Sequence, residues 1–286
     1  MMETVRIDKD SVEYPARLRE IPDPPGQLYC TGNIELLNER SIAVVGARKN
    51  TVYGKNVALM IGRRLAESGL VVTSGLALGI DGYSHEGALE ADGRVIGVLG
   101  SGIDHMTPQR NRSLMMKGLD NGGLVVSEYP PEEKSTRWSF PARNRIISGL
   151  SEALVVVEAG LNSGSLITAK YAVDQGRTVY AVPGNINSPT SIGCNLLIRD
   201  GAVPLIIIDD MIRDIGTAPG KTTVVNKDLD SDEPKIFEVV REMSGATMEE
   251  IIRGTGFSPG LANSLVTVME IKGVVESYAG RIYLSR

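Results

Sequence analysis

The residues best suited to chemistry in this chain lie in one short run. Arg137-Trp138-Ser139-Phe140-Pro141-Ala142-Arg143-Asn144-Arg145 interleaves three arginines with two aromatic rings and an amide. A guanidinium neutralises phosphate, an aromatic face stacks on a base, and an Asn amide can read a base edge. Together these are the abilities a single-stranded nucleic-acid groove needs. The same composition also suits a packed segment, with Trp138 and Phe140 in a core and the arginines in ion pairs. Phe140 is one of only three Phe in the chain and sits inside a basic segment, which favours the binding reading.

Further candidates follow apolar runs. In Val45-Gly46-Ala47-Arg48, Gly46 lets the backbone approach a ligand and Arg48 offers a planar donor fork for phosphate; a strand-end turn with a solvated arginine is the plain alternative. In Ser74-Gly75-Leu76-Ala77-Leu78-Gly79-Ile80-Asp81-Gly82, Gly75 and Gly79 expose amides near a helix start, a natural anion site. Asp81 as a helix cap would satisfy those same amides and carries more weight. Glu158-Ala159-Gly160-Leu161-Asn162-Ser163-Gly164-Ser165 again presents amides and hydroxyls, with Lys170 further along the helix. Capping by Ser163 or Ser165 competes with that reading. Val182-Pro183-Gly184-Asn185 is turn punctuation on the same rim.

Other chemistries find little support. His85 and His105 are the only histidines and fall in no metal spacing, His85 reading as a helix-face residue near the rim and His105 as a loop residue. Cys30 and Cys194 are far apart, which argues against a disulfide scaffold or zinc module. Gly216-Thr217-Ala218-Pro219-Gly220-Lys221-Thr222 has three residues between its glycines where a P-loop has four. Glu158 could serve as a general base, yet nothing in the sequence pairs with it. No catalytic residue, metal or cofactor is expected. The net charge of −5 excludes a general basic coat, so nucleic-acid binding requires a local basic groove on an acidic body. No apolar run is long enough to span a bilayer and no signal-like pattern opens the chain, so cytoplasm without a membrane partner is expected.

The elements that must position these residues are legible from residue 41 onward. Ile42–Val45, Leu70–Thr73, Val95–Leu99, Leu124–Ser127, Ala153–Val157, Thr178–Val182 and Val203–Ile206 are apolar at consecutive positions, as strands buried on both faces are. Tyr53–Ser68, Asp81–Asp92, Gln109–Leu119 and Ser165–Gln175 are long enough for crossover helices. The alternation predicts an α/β domain with a doubly wound, mostly parallel sheet over residues 41–215. Residues 1–40, with Tyr14-Pro15 and Ile21-Pro22-Asp23-Pro24-Pro25-Gly26, read as an N-terminal extension packing on that domain. Residues 216–234 read as a linker. Residues 235–286 contain three helices and a closing hairpin, the pattern of a small winged-helix domain. Its third helix, Pro259 to Lys272, carries Lys272 as its one basic residue, with Glu270 near it, which suits a protein contact better than duplex DNA.

Five ordered motifs then resemble the DprA/Smf family: Val45-Gly46-Ala47-Arg48, Ser74 to Asp81, Phe140-Pro141-Ala142-Arg143-Asn144-Arg145-Ile146-Ile147, Glu158-Ala159 with Ser163 to Ala169, and Pro183-Gly184. The resemblance covers about residues 15 to 206, and the C-terminal pattern also fits. It implies an extended Rossmann-like fold without catalysis, sequence-independent single-stranded DNA binding, homodimers, and loading of the RecA recombinase in natural transformation. A single-stranded-DNA-binding protein is a further implied partner. It also implies that Arg48, Arg137, Phe140, Lys170 and the loops near Gly79 and Ser163-Gly164-Ser165 line the DNA pocket. Arg143, Asn144 and Arg145 either join them or brace the pocket wall. The chain departs from the family pattern at Ala47, where Ser or Thr is common, and at Met106-Thr107-Pro108, where Tyr-Pro is usual. The competing enzyme class is a nucleoside-monophosphate phosphoribohydrolase of related fold, but Pro183-Gly184-Asn185 lacks the second glycine of its Pro-Gly-Gly loop.

Overall fold

The structure, a computed structural model, describes residues 3–216, 232–243, 245–272, 274–278 and 280–284. The chain divides into two compact units, Met1–Lys221 and Thr222–Arg286. In chain order the first contains β1 (Thr4–Asp8), α1 (Ala16–Arg19), β2 (Gln27–Gly32), β3 (Ser41–Val45), α2 (Val52–Glu67), β4 (Val71–Ser74), α3 (Ile80–Glu90), β5 (Val95–Leu99), α4 (Arg112–Asp120), β6 (Leu124–Ser127), α5 (Ser139–Leu150), β7 (Ala153–Val156), α6 (Gly164–Asp174), β8 (Thr178–Ala181), α7 (Ile192–Arg199), β9 (Val203–Pro204) and α8 (Ile208–Asp214).

The strands form one sheet in the order β1-β2-β6-β5-β4-β3-β7-β8-β9. From β6 to β9 all pairings are parallel. The central strands show why their sequences are apolar at every position. In β3, Ile42 and Val44 join one core with Ile61 and Leu65 of α2, while Ala43 and Val45 join the other with Ile146 and Ile147 of α5. Each face of the sheet is thus covered by helices. The strand order reverses between β3 and β7, so the crevice of this α/β sheet opens at their carboxyl ends.

Residues 1–40 contribute more than a packing extension. β1 pairs antiparallel with β2, and β2 pairs antiparallel with β6, so the segment prolongs the sheet. Tyr14 is buried and its hydroxyl donates to the Pro25 carbonyl at 2.8 Å. Leu18 packs so closely on α5 that a Cβ at Gly149 would lie 2.6 Å from its Cδ1.

Helix α5 is the element hidden in the arginine-rich run. Pro141 sits in its first turn, where a missing N–H leaves no helical bond unmade. Thr136 and Ser139 close the entry reciprocally: the Thr136 amide donates to Ser139 Oγ at 3.0 Å and the Ser139 amide to Thr136 Oγ1 at 3.2 Å. Its buried face carries Ile146, Ile147 and Leu150 onto the sheet.

The second unit holds α9 (Glu233–Glu242), α10 (Met248–Thr255), α11 (Pro259–Ile271) and the antiparallel pair β10 (Val275–Tyr278) and β11 (Arg281–Leu284). A full capping box opens α10, with Thr247 and Glu250 each bonding the other's backbone amide. Ile236, Val240, Ile251, Val266, Met269 and Ile282 form its core. Most of the stretch read as a linker, 217–231, lies outside the described residues.

His85 is fully buried in α3 between that helix and the sheet, so it is not the rim residue the sequence suggested. Burial pushes its imidazole pKa down to about 4. The folded state holds it neutral, whereas the unfolded chain protonates it below about pH 6.5. Stability is therefore unaffected by this group above that pH and falls as pH drops toward 4, by roughly 3 kcal/mol at 1.36 kcal/mol per pH unit. We expect His85→Leu to flatten this segment of the stability–pH curve in urea titrations. A variant curve parallel to wild type between pH 6.5 and 4 would contradict it.

Candidate nucleic-acid interface

The loops that follow the parallel strands leave the sheet at its carboxyl end, and Arg48, after β3, and Arg137, between β6 and α5, are exposed on them. Arg48 follows β3 and projects its guanidinium carbon 5.7 Å from the centroid of the Phe140 ring at the start of α5. Arg48 is exposed and Phe140 half-buried, so ring and charge both face solvent. Asn144, one helical turn beyond Phe140, donates its amide to the Gly164 carbonyl at 3.3 Å. Gly164 begins α6, where Ser163 caps the helix and its hydroxyl lies 2.7 Å from that of Ser165. Ser163 and Lys170 line a common open groove of about 590 Å³ with Asn162, Tyr171 and Asp174. The Arg48–Phe140 pair is thus followed along α5 by Asn144, which ties the helix to the start of α6, and the groove holding Lys170 begins there at Ser163.

Arg137 stands just before α5 with its guanidinium 4.5 Å from the Trp138 ring. Trp138 is 69% exposed, so it is a solvent-facing ring and not a core residue. A lone tryptophan between an arginine and a helix start was the available signal in the sequence. Arg48, Arg137 and Lys170 form no ion pair among the described residues, whereas Arg17, Arg40, Arg64 and Arg94 all do. A cation without a carboxylate partner retains its charge for phosphate.

Of the two readings open for Arg143 and Arg145, DNA contact or bracing of the wall, their burial and internal partners favour bracing. Arg143 is buried and donates to the Gly75 carbonyl at 2.8 Å and to the Val98 carbonyl. Burial pulls its pKa down to about 10, opposed by Asp81, so it remains charged at neutral pH. Arg145 is buried too, paired with Glu128 at 2.6 Å and Asp23 at 3.0 Å. The helical phase explains both: positions 143, 146, 147 and 150 fall on the face that covers the sheet, and 145 borders it.

The glycines are corrected in the same sense. At Gly75 a Cβ would lie 2.6 Å from the Arg143 guanidinium, and at Gly46 2.7 Å from Ile80 Cγ1. Their bareness makes room for the chain itself. The Gly75 amide donates to Asp81 Oδ2 at 3.1 Å, and amides of Ala77 and Gly46 also oppose the rise in Asp81's pKa that burial causes. The Asp81 carboxyl is therefore buried and held by the loop; the capping position of α3 belongs to Gly79, whose φ of +83° and contact with the Ala47 carbonyl require glycine. Gly79 alone of the three borders an open cleft.

Glu158 lies at the reversal point of the strand order and is buried. Its carboxylate accepts from the Thr51 amide at 2.8 Å, the Thr51 hydroxyl at 2.7 Å and the Thr190 hydroxyl at 3.3 Å. Thr51 caps α2, so Glu158 sits at a helix N-terminus where a bound phosphate would otherwise be favoured. Gly54 leaves no room for any side chain against it. The Cys30 and Cys194 thiols are buried and pushed up to about 12, which removes them as nucleophiles at neutral pH. Among the described residues no group of three or more His, Cys, Asp or Glu could hold a metal, and no helix is long and apolar enough to cross a membrane.

The family model for DNA recombination-mediator protein A matches residues 6–216. This chain belongs to that family. It is 43% identical to DNA processing protein DprA of Bacillus subtilis over 210 residues, covering 73% of this chain and 70% of the relative. It is 45% identical to protein Smf of Escherichia coli over 197 residues, 69% of this chain and 53% of that protein. Among solved structures, DprA of Streptococcus pneumoniae superposes with a TM-score of 0.70 at 39% identity, covering 74% of each chain. DNA processing protein A of Helicobacter pylori, described for its single-stranded DNA binding mode, superposes with a TM-score of 0.68 at 30% identity over 75% of this chain and 96% of that one. The extended Rossmann-like fold is common to these DNA processing proteins.

The brace assignment has a direct check. Arg143→Ala leaves Asp81 buried without its counter-charge and should cost about 3–5 kcal/mol, read in denaturant unfolding. A variant as stable as wild type, with nucleic-acid affinity lost, would restore Arg143 to the binding surface.

Proposed function

We propose that this protein binds single-stranded DNA without sequence preference along the surface from Arg48 through Phe140 to Lys170, and breaks no bond in doing so. The observation that carries the reading is the Arg48–Phe140 pair: a guanidinium with no ion pair among the described residues beside a half-open ring, one from the loop after β3 and the other from the first turn of α5. Phosphate attraction and base stacking need no sequence information, since every nucleotide has a charge and a π-face. Arg137 and Trp138 supply a second pair of the same kind. The Helicobacter pylori relative's single-stranded DNA binding supports the same ligand.

Family membership is the support for the wider role: a cytoplasmic homodimer that loads RecA recombinase onto the bound strand in natural transformation, with a single-stranded-DNA-binding protein as a further partner. Against hydrolysis, the carboxylate at the strand reversal, Glu158, is buried and engaged with Thr51 and Thr190. We read the second unit as a winged helix that meets protein, because α11 carries no Lys or Arg within Pro259–Ile271.

Binding to single- and double-stranded oligonucleotides across a salt series tests this. Arg48→Ala should weaken binding to every sequence and lower the salt slope by roughly 0.7–1. Phe140→Ala should cost about 1–3 kcal/mol at constant slope. Unchanged affinity in both variants, or preference for duplex, would overturn the proposal.

A further inference from the structure

A second cleft adjoins the first surface at Arg48. It has a volume of about 620 Å³, within the range of roughly 300–1,000 Å³ typical of ligand clefts. One wall is α3, with Tyr83 and Glu86; the other is the turn at 109–111 and α4, with Arg110 and Lys117; Arg48 stands between them. Arg48, Arg110, Lys117 and Glu86 are all exposed, and none forms an ion pair among the described residues. Three cations thus face one carboxylate on a molecule whose net charge is −5. Such a concentration of unpaired positive charge disfavours the empty state and attracts a polyanion.

The wall bearing Arg110 is fixed in place. The Asn111 side-chain amide donates to the Leu76 and Ala77 carbonyls at 3.0 and 2.8 Å, tying the turn to the loop after β4. The backbone that carries Arg110 is therefore a pinned turn on the same cleft as Gly79. Arg48 belongs to both surfaces, lining this cleft while facing the Phe140 ring.

We propose that this cleft is a second phosphodiester subsite. A single strand whose base stacks on Phe140 continues past Arg48 between α3 and α4, where Arg110 and Lys117 hold its next phosphates. The inference rests on the single-strand reading above and extends it in the direction opposite to Lys170. Glu86 opposes the bound phosphates and tempers affinity. A free nucleotide offers the same phosphate chemistry, so the two sources need separate arms.

The test uses the full chain and fluorescent oligodeoxythymidines of increasing length. In the Arg110→Ala/Lys117→Ala variant, the salt slope for long oligonucleotides should fall by about 1.4, two single-strand phosphate contacts at about 0.7 each. The shortest oligonucleotide that still binds should be unaffected. Glu86→Gln should tighten long-oligonucleotide binding several-fold at low salt, a gain that misfolding cannot mimic. Wild-type slope in the double variant at every length, with Phe140→Ala still weakened, overturns the cleft and leaves the first surface standing. Loss of thymidine triphosphate binding in the double variant with oligonucleotide binding intact also overturns it, in favour of a free nucleotide. No binding by wild type at any length overturns both readings.

Discussion

The arrangement depends on one buried charge. Arg143 reaches from α5 to the carbonyls of Gly75 and Val98, beside the Asp81 carboxylate. A guanidinium is costly to remove from water unless its donors and its charge are met. Meeting them fixes α5 over the ends of β4 and β5. Phe140 lies one turn earlier on that helix, so the same contact sets its ring beside Arg48. The bare Cα of Gly75 is the space Arg143 occupies.

Two carboxylates play a matching part. In a doubly wound sheet, helix N-termini behind the carboxyl ends of strands attract anions. Here Glu158 fills that position at α2, and Asp81 takes the amides of the loop before α3. The anion sites that the fold offers near the strand reversal are satisfied from within. Ligand phosphate is left to side chains on the rim, which suits a long polyanion laid over a surface better than one nucleotide held in a crevice. The acidic body and the unpaired Arg48, Arg137 and Lys170 are consistent with this division: arginines elsewhere, such as Arg64 and Arg94, are neutralised by neighbouring carboxylates.

The parallel strands and the crossover helices α2, α3, α4 and α6 were legible in the residues because their causes are local, whereas β1, β2 and α5 were not. Ile42 to Val45 is apolar at every position since both faces of β3 are covered, and Thr247 with Glu250 marks a helix start by spacing alone. The same holds for the five ordered motifs that the family match covers. What composition could not assign was the facing of charged side chains. Arg137, Arg143 and Arg145 are equivalent in the text, yet the first stands exposed ahead of α5, while helical phase buries the other two against carbonyls and carboxylates 17 to 122 positions away. Gly46 and Gly75 likewise suggested ligand approach, and only the packing of Ile80 and Arg143 shows which neighbour needs the space. Residue type and period determined the elements; pairing between distant residues decided which charges remain free, because a charge's availability depends on the partner folding brings to it.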